Sequence, residues 1–387
     1  MAVRPIRMDI YRTAIPTRGF MHAAAERNVA EAVVVCVEFD DGQLGWGETL
    51  PREYVTGETI ESVVDDLACV IWPRWAGVAM GNGETVTEIA PAVHELRCIN
   101  AAICAFDIAC MRRLFDRIQE ISPEVLAELG GRAQVRRELD VPVSGVLGAG
   151  RRRNVRRRLR AMQWWGMDQI KLKLTADERQ GAEALQVVSG RLGKALRSGR
   201  ATLRVDVNGA WDAASAPERI TALKAWNVCA VEQPVYGSAQ DLVDLARKCP
   251  LPLIADESLL TEADANVLLT EPRIWWNIRL SKNGGLVGAL KLARLAASRG
   301  VTFIIGCMVG ESGILSAAQR RMLQLGPGPR FVEGNYGRWL LRGDLTQPSL
   351  RFGYGGLLRT RPGEGLGVQV DRRKLATFGQ RVKTCRA

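Results

Sequence analysis

Histidine is nearly missing from this 387-residue chain: there are two, His22 and His94, and both precede residue 138. The rest of the chain therefore has no histidine base to offer for proton transfer. No apolar stretch reaches the roughly 18 residues of a membrane-spanning helix, and MAVRPIRMDIYR lacks the apolar core of a signal peptide, so a cytoplasmic location and no membrane partner are expected. Nine cysteines are scattered without a C-x-x-C pair. An odd number at irregular spacing suits reduced, mostly buried thiols and speaks against a disulfide frame or a zinc site. The stretch GVLGAGRRR holds no G-x-G-x-x-G, which argues against a doubly wound dinucleotide-binding sheet.

What is present reads as an ordinary soluble protein, 47% hydrophobic and 25% charged. The length allows one large domain and a smaller one. The net charge of +11 falls to +4 without the seven arginines at 151, 152, 153, 156, 157, 158 and 160. They surround a helix with no interleaved aromatic platform, so a solvated outer helix is expected and a nucleic-acid partner is not.

Residues 1–60 alternate like antiparallel strands, with Asp40-Asp41-Gly42 as a hairpin turn in AEAVVVCVEFDDGQLGWGE. From about 58 to 118 the apolar spacing becomes three and four, as in ESVVDDLACVIW and INAAICAFDIACMRRLF. After residue 138, eight short β-rich runs alternate with amphipathic stretches: VPVSGVL, DQIKLKL, ATLRVDV, VCAVEQ, PLIAD, WWNIRL, VTFIIG and PRFVEG. That rhythm predicts a parallel α/β barrel. The expected division is a capping domain over 1–137, a barrel over 138–349, and a tail over 350–387 that returns to the cap.

Three of these runs end in an acid: Asp206 in TLRVDVN, Glu232 in VCAVEQP and Asp256 in PLIADES. A fourth, QIKLKL, carries Lys171 and Lys173, which face the same side of a strand. The gaps from Lys173 onward are 33, 26 and 24 residues, each close to one strand-plus-helix unit, so all these groups reach one rim of the barrel. Three carboxylates in one mouth repel each other unless a hard cation holds them.

The order Lys-x-Lys, Asp-x-Asn, Glu-Gln-Pro, Asp-Glu-Ser and then Asn-Gly-Gly resembles the enolase superfamily, most closely its muconate-lactonizing and dipeptide-epimerase branch. The stretch GWGETLPREYVTGET looks like the capping domain of that branch. The resemblance implies a modified TIM barrel, (β/α)7β, with an α+β cap built from the N-terminal region and the C-terminal tail. It also implies Mg²⁺ or Mn²⁺ on Asp206, Glu232 and Asp256, with Asn208 and Glu257 beside the metal. Lys173 matches the acid/base and Lys171 its electrostatic partner. A small carboxylate substrate and homo-oligomeric assembly are expected.

The pattern departs from the branch at the sixth run. Where a second lysine is expected, WWNIRLSKNGG has Arg279, a poor base suited to holding a carboxylate. Lys282 lies three residues further on. On the eighth run an Asp-x-Asp that binds a substrate ammonium is replaced by Glu333 and Asn335. The mandelate racemase branch needs a barrel histidine and is excluded. His22, Arg18, Arg27 and Tyr54 fall where the cap would close over the substrate, and Trp275 and Trp276 read as core or interface.

The expected function is metal-dependent abstraction of the proton α to a carboxylate by Lys173 acting alone, as in a cycloisomerase or a syn-eliminating lyase. The alternative is a racemase or epimerase of a dipeptide or N-acylated amino acid, with Lys282 as second base. A third reading is a metal-holding barrel without catalysis, serving as a binding protein through its arginine-rich helix.

Overall fold

The computed structural model describes residues 3–22, 25–80, 99–111, 135–174, 177–359 and 365–387, apart from the side chains of 19–27. His94 and the side chains of His22 and Arg27 therefore lie outside the described residues.

The N-terminal strands Pro5–His22, Ala25–Phe39 and Leu44–Thr49 form an antiparallel sheet. The hairpin between the last two turns at Gly42, whose φ of 78° suits glycine. The strand Gly379–Arg386 pairs along the outer edge of the first, from Arg7–Arg386 to Thr13–Gly379, so the tail does rejoin the cap. The fully buried helix Asn100–Cys110 lies against Leu44–Thr49. The approach is so close that a Cβ at Gly45 or Gly47 would overlap the carbonyl oxygen of Ala109 or Ala105.

The eight predicted runs form one parallel sheet in sequential order: Gly145–Gly148, Gln169–Lys173, Thr202–Asp206, Ala230–Glu232, Leu253–Ala255, Ile274–Ile278, Phe303–Ile305 and Phe331–Val332. A parallel bridge between Val143 and Val332, with the Ser144 N–H bonded to the Val332 carbonyl, brings the last strand back to the first. Among the described residues, helices of seven to twenty residues follow each of the first seven strands, and the single turn Gly337–Leu340 comes directly after the eighth. This is the (β/α)7β pattern.

The arginine run forms the first outer helix, Arg152–Trp164, which buries Val155 and Leu159. Trp276 is fully buried in the core, and Trp275 packs on Phe331 at 6.4 Å between ring centres.

Buried carboxylates tie the layers together by accepting N–H groups at helix N-termini. Glu58 accepts the N–H groups of Ala101 and Ala102. Glu48, from the cap, accepts those of Ser312 and Leu315 at the start of the helix Gly313–Leu325. Carboxylates are favoured there by the free N–H groups and the helix dipole. Burial nevertheless pushes both acids up to about 7.

Candidate active site

On a strand, alternate side chains face the same way, so Lys171 with Lys173, Arg204 with Asp206, and Asn277 with Arg279 all point into the barrel. All six are buried. The sheet register sets Lys173 beside Asp206, and Asp206 beside Glu232. Lys173 Nζ stands 3.0 Å from Asp206 Oδ2 and 3.0 Å from Asn208 Oδ1. Asn208 (φ 48°) donates its N–H to Asp206 Oδ1 and its amide to Glu257 Oε1, linking the strand end to Glu257.

Lys171 Nζ sits deeper, 3.2 Å from Asp206 Oδ2, 2.8 Å from Glu232 Oε1 and 2.8 Å from Glu333 Oε2. Burial disfavours its charge, but Asp206, Glu232 and Glu333 outweigh burial and hold its pKa well above that of free lysine. Burial would likewise raise the Asp206 carboxyl, which Lys171 and Lys173 instead hold far below its usual range. Glu232 goes the other way, pushed up to about 7 by burial despite Lys171.

Arg279 faces Lys173 from the opposite side of the barrel. Its guanidinium lies against Asp256 Oδ2 and 3.5 Å from Glu232 Oε1. Lys282 is fully buried, with Nζ donating to Asp256 Oδ1 and to the carbonyls of Asp256 and Asn277. It is spent on holding that loop and does not reach the cavity, contrary to a role in substrate binding.

Glu333 and Asn335 line the cavity, yet neither is available to a substrate ammonium. Glu333 Oε2 receives Lys171, and its Oε1 receives Arg204 Nη1 at 2.9 Å. Asn335 Oδ1 accepts from Arg320, and its amide donates to Gln319.

Among the described residues, no three acidic, histidine or cysteine side chains are gathered closely enough round one point to hold a metal ion. Cationic groups stand among them instead: Arg279 against Asp256, and Lys171 between Asp206 and Glu232. In chemistry the trio suits a hard dication, with oxygen donors only on three consecutive strand ends. Glu232 Oε2 and the neighbouring Glu257 Oε2 are buried without a hydrogen-bond partner. By their donor chemistry the residues fit such an ion, with Lys171, Arg279 and Lys282 now bonded to the same carboxylates.

Above these groups is a cavity of about 300 Å³ lined by Lys171, Lys173, Asn208, Glu257 and Arg279. Arg18 and Tyr54 border it from the cap. Lining residues that the sequence did not mark for the site include Arg158, Glu311, Tyr336 and Trp339. Glu311 accepts the Met308 N–H, and burial pushes its carboxyl up to about 8. Tyr336 donates its hydroxyl to the Ser144 carbonyl. The loops of Glu311 and Tyr336 carry no periodic signal. Arg204 could have been found, two residues before Asp206 on the same face.

Among the described residues no helix is long and apolar enough to cross a membrane. Residues 153–374 match the family described as enolase C-terminal domain-like. The L-Lys-D/L-Arg epimerase of Methylococcus capsulatus is 30% identical over 90% of this chain and 95% of its own. The N-succinyl-L-Arg/Lys racemase of Bacillus cereus is 28% identical over 80% of this chain and 81% of its own. The crystal structure of the Bacillus cereus racemase shares the fold with a TM-score of 0.83 at 24% identity, covering 100% of this chain and 99% of that one. Muconate lactonizing enzyme does so at 0.81 and 24%, covering 97% and 100%. A dipeptide epimerase from Enterococcus faecalis, complexed with Mg and L-Leu-L-Tyr, does so at 0.79 and 22%, covering 95% and 99%. The chain is therefore an enzyme of the enolase superfamily, in the branch that holds the muconate-lactonizing enzyme and the dipeptide epimerases.

Proposed function

We propose that this enzyme removes the proton α to the carboxylate of an N-acylated amino acid or dipeptide, with Lys173 as the acid/base. The observation that carries this reading is the position of Lys173. It ends the second barrel strand on the cavity wall, 3.0 Å from Asp206, with the charged Lys171 behind it.

Asp206, Glu232 and Asp256 would hold Mg²⁺ or Mn²⁺, and the ion would stabilise the negative charge that develops on the substrate carboxylate. Asn208 keeps Lys173 and Asp206 in register.

The relatives' names support a racemase or epimerase over the cycloisomerase or lyase that the sequence first suggested, and over a barrel without catalysis. Arg279 tempers that support. A guanidinium is a poor proton donor and acceptor, and Lys282 is hydrogen-bonded below the cavity. Return of the proton on the Arg279 side is therefore slow. One-sided chemistry stays as the second reading, on the strength of that residue.

The test is incubation with Mg²⁺ in D₂O of N-succinyl amino acids, dipeptides and a muconate, followed by NMR and chiral chromatography. The expected result is deuterium at the α-carbon of an amino-acid derivative, appearing faster than inversion. Lactonisation of muconate without any α-exchange would overturn the substrate class. No reaction with any of them would overturn the proposal.

A further inference from the structure

We infer that Arg158, together with Arg18, forms a subsite for a second carboxylate at the end of the substrate remote from its reacting carbon. This rests on the function proposed above and names the substrate class more closely, as a dicarboxylate without a cationic group.

Arg158 lies on the helix Arg152–Trp164, three residues after the buried Val155, so it stands at the edge of the buried stripe. The other arginines of the run do not line the cavity; Arg158 does, from the barrel side, and Arg18 does from the cap. Both are exposed at its mouth. Arg18 is fixed there by donating Nε to the Leu341 carbonyl at 3.2 Å. Among the described residues Arg158 has no carboxylate partner. Two guanidiniums from different parts of the fold thus line one opening, and among the described residues neither is paired with an acid.

The acids that line the same cavity, Glu257, Glu311 and Glu333, are all less exposed than these two arginines, and Glu257 accepts the Asn208 amide. Glu333 is claimed by Lys171 and Arg204. Glu311 accepts a backbone N–H and carries little charge at neutral pH, its carboxyl being pushed up to about 8. A ligand that spans the cavity therefore meets cations at both ends, Lys173 and Arg279 at the floor and Arg158 and Arg18 at the mouth. A substrate with one carboxylate at the reacting carbon and another at its far end satisfies both. A substrate with a free ammonium satisfies neither, because the eighth-strand groups that would receive it are engaged. Trp339, 53% exposed and stacked on Phe352 at 6.5 Å, forms a rigid wall beside the subsite and serves as a fluorescent reporter.

The second carboxylate could belong to an acyl group or to the amino acid's side chain, and the experiment separates these. Dissociation constants for N-succinyl-L-valine, N-acetyl-L-glutamate and N-acetyl-L-valine are measured by tryptophan fluorescence and calorimetry on the whole chain with Mg²⁺. At least one dicarboxylate is expected to bind about tenfold or more tightly than N-acetyl-L-valine, the scale of one charge-assisted contact. Arg158→Ala should reduce that preference to about one, Arg158→Lys should restore part of it, and Arg153→Ala on the same helix should keep it. Equal binding of all three probes, or a preference that survives Arg158→Ala, would overturn the subsite even if α-exchange is seen. A preference that depends on Arg158 without α-exchange would support the subsite while removing the proposed reaction.

Discussion

Lys173→Met is expected to lower α-proton exchange roughly a thousandfold, within the range that a positioned general base contributes. Methionine keeps the length and apolar stem of lysine, so the second strand and its packing remain. Only the amine is lost from the group 3.0 Å from Asp206 and Asn208. Asp206 keeps Lys171 at 3.2 Å, so its buried charge is not stranded. The thermal midpoint should therefore move far less than the rate. Lys171→Met would be a different experiment: it removes the partner of three buried carboxylates at once and should destabilise the fold. Exchange by Lys173→Met within tenfold of the parent would show that another residue takes the proton.

Arg279→Lys is the second large effect, and it runs the other way. The ammonium keeps the positive charge beside Asp256 and Glu232 but, unlike guanidinium, can give up and regain a proton. It would face the substrate from the sixth strand, across the barrel from Lys173. The ratio of inversion to exchange is expected to rise about tenfold or more, a modest share of what a general acid supplies. Exchange itself should change little, since Lys173 still acts on its own face. Chiral analysis of partly deuterated product reads both quantities from one sample. If the parent already inverts as fast as it exchanges, and Arg279→Lys does not alter the ratio, proton return does not depend on this position.

The barrel was legible because its eight strands are short and mostly apolar, with Lys173, Asp206 and Glu232 standing at strand ends. Lys171, Lys173, Asp206, Glu232 and Asp256 could be placed by strand periodicity and spacing, and Arg279 by the family resemblance. What spacing could not tell was which charges neutralise which. Glu333 reads from the chain as a free carboxylate, yet Arg204, 129 residues away in sequence, holds one of its oxygens. Lys282 reads as a spare base beside a strand end, and it is tied to Asp256 and Asn277. Arg158 was hidden among six other arginines on a helix that is solvated over most of its surface. Only the meeting of that helix with the loop after the eighth strand sets it on the cavity. Glu311 and Tyr336 lie in loops, where no period marks a side chain as inward.

Binding of Mn²⁺, followed by electron paramagnetic resonance and calorimetry, tests most directly whether the acidic strand ends form a metal centre beside Lys173. One ion per chain is expected for the parent protein, with binding weakened at least about a hundredfold in Glu232→Gln, since a buried carboxylate ligand is lost. Saturation at one ion in both proteins, or no uptake by the parent at millimolar Mn²⁺, would contradict it.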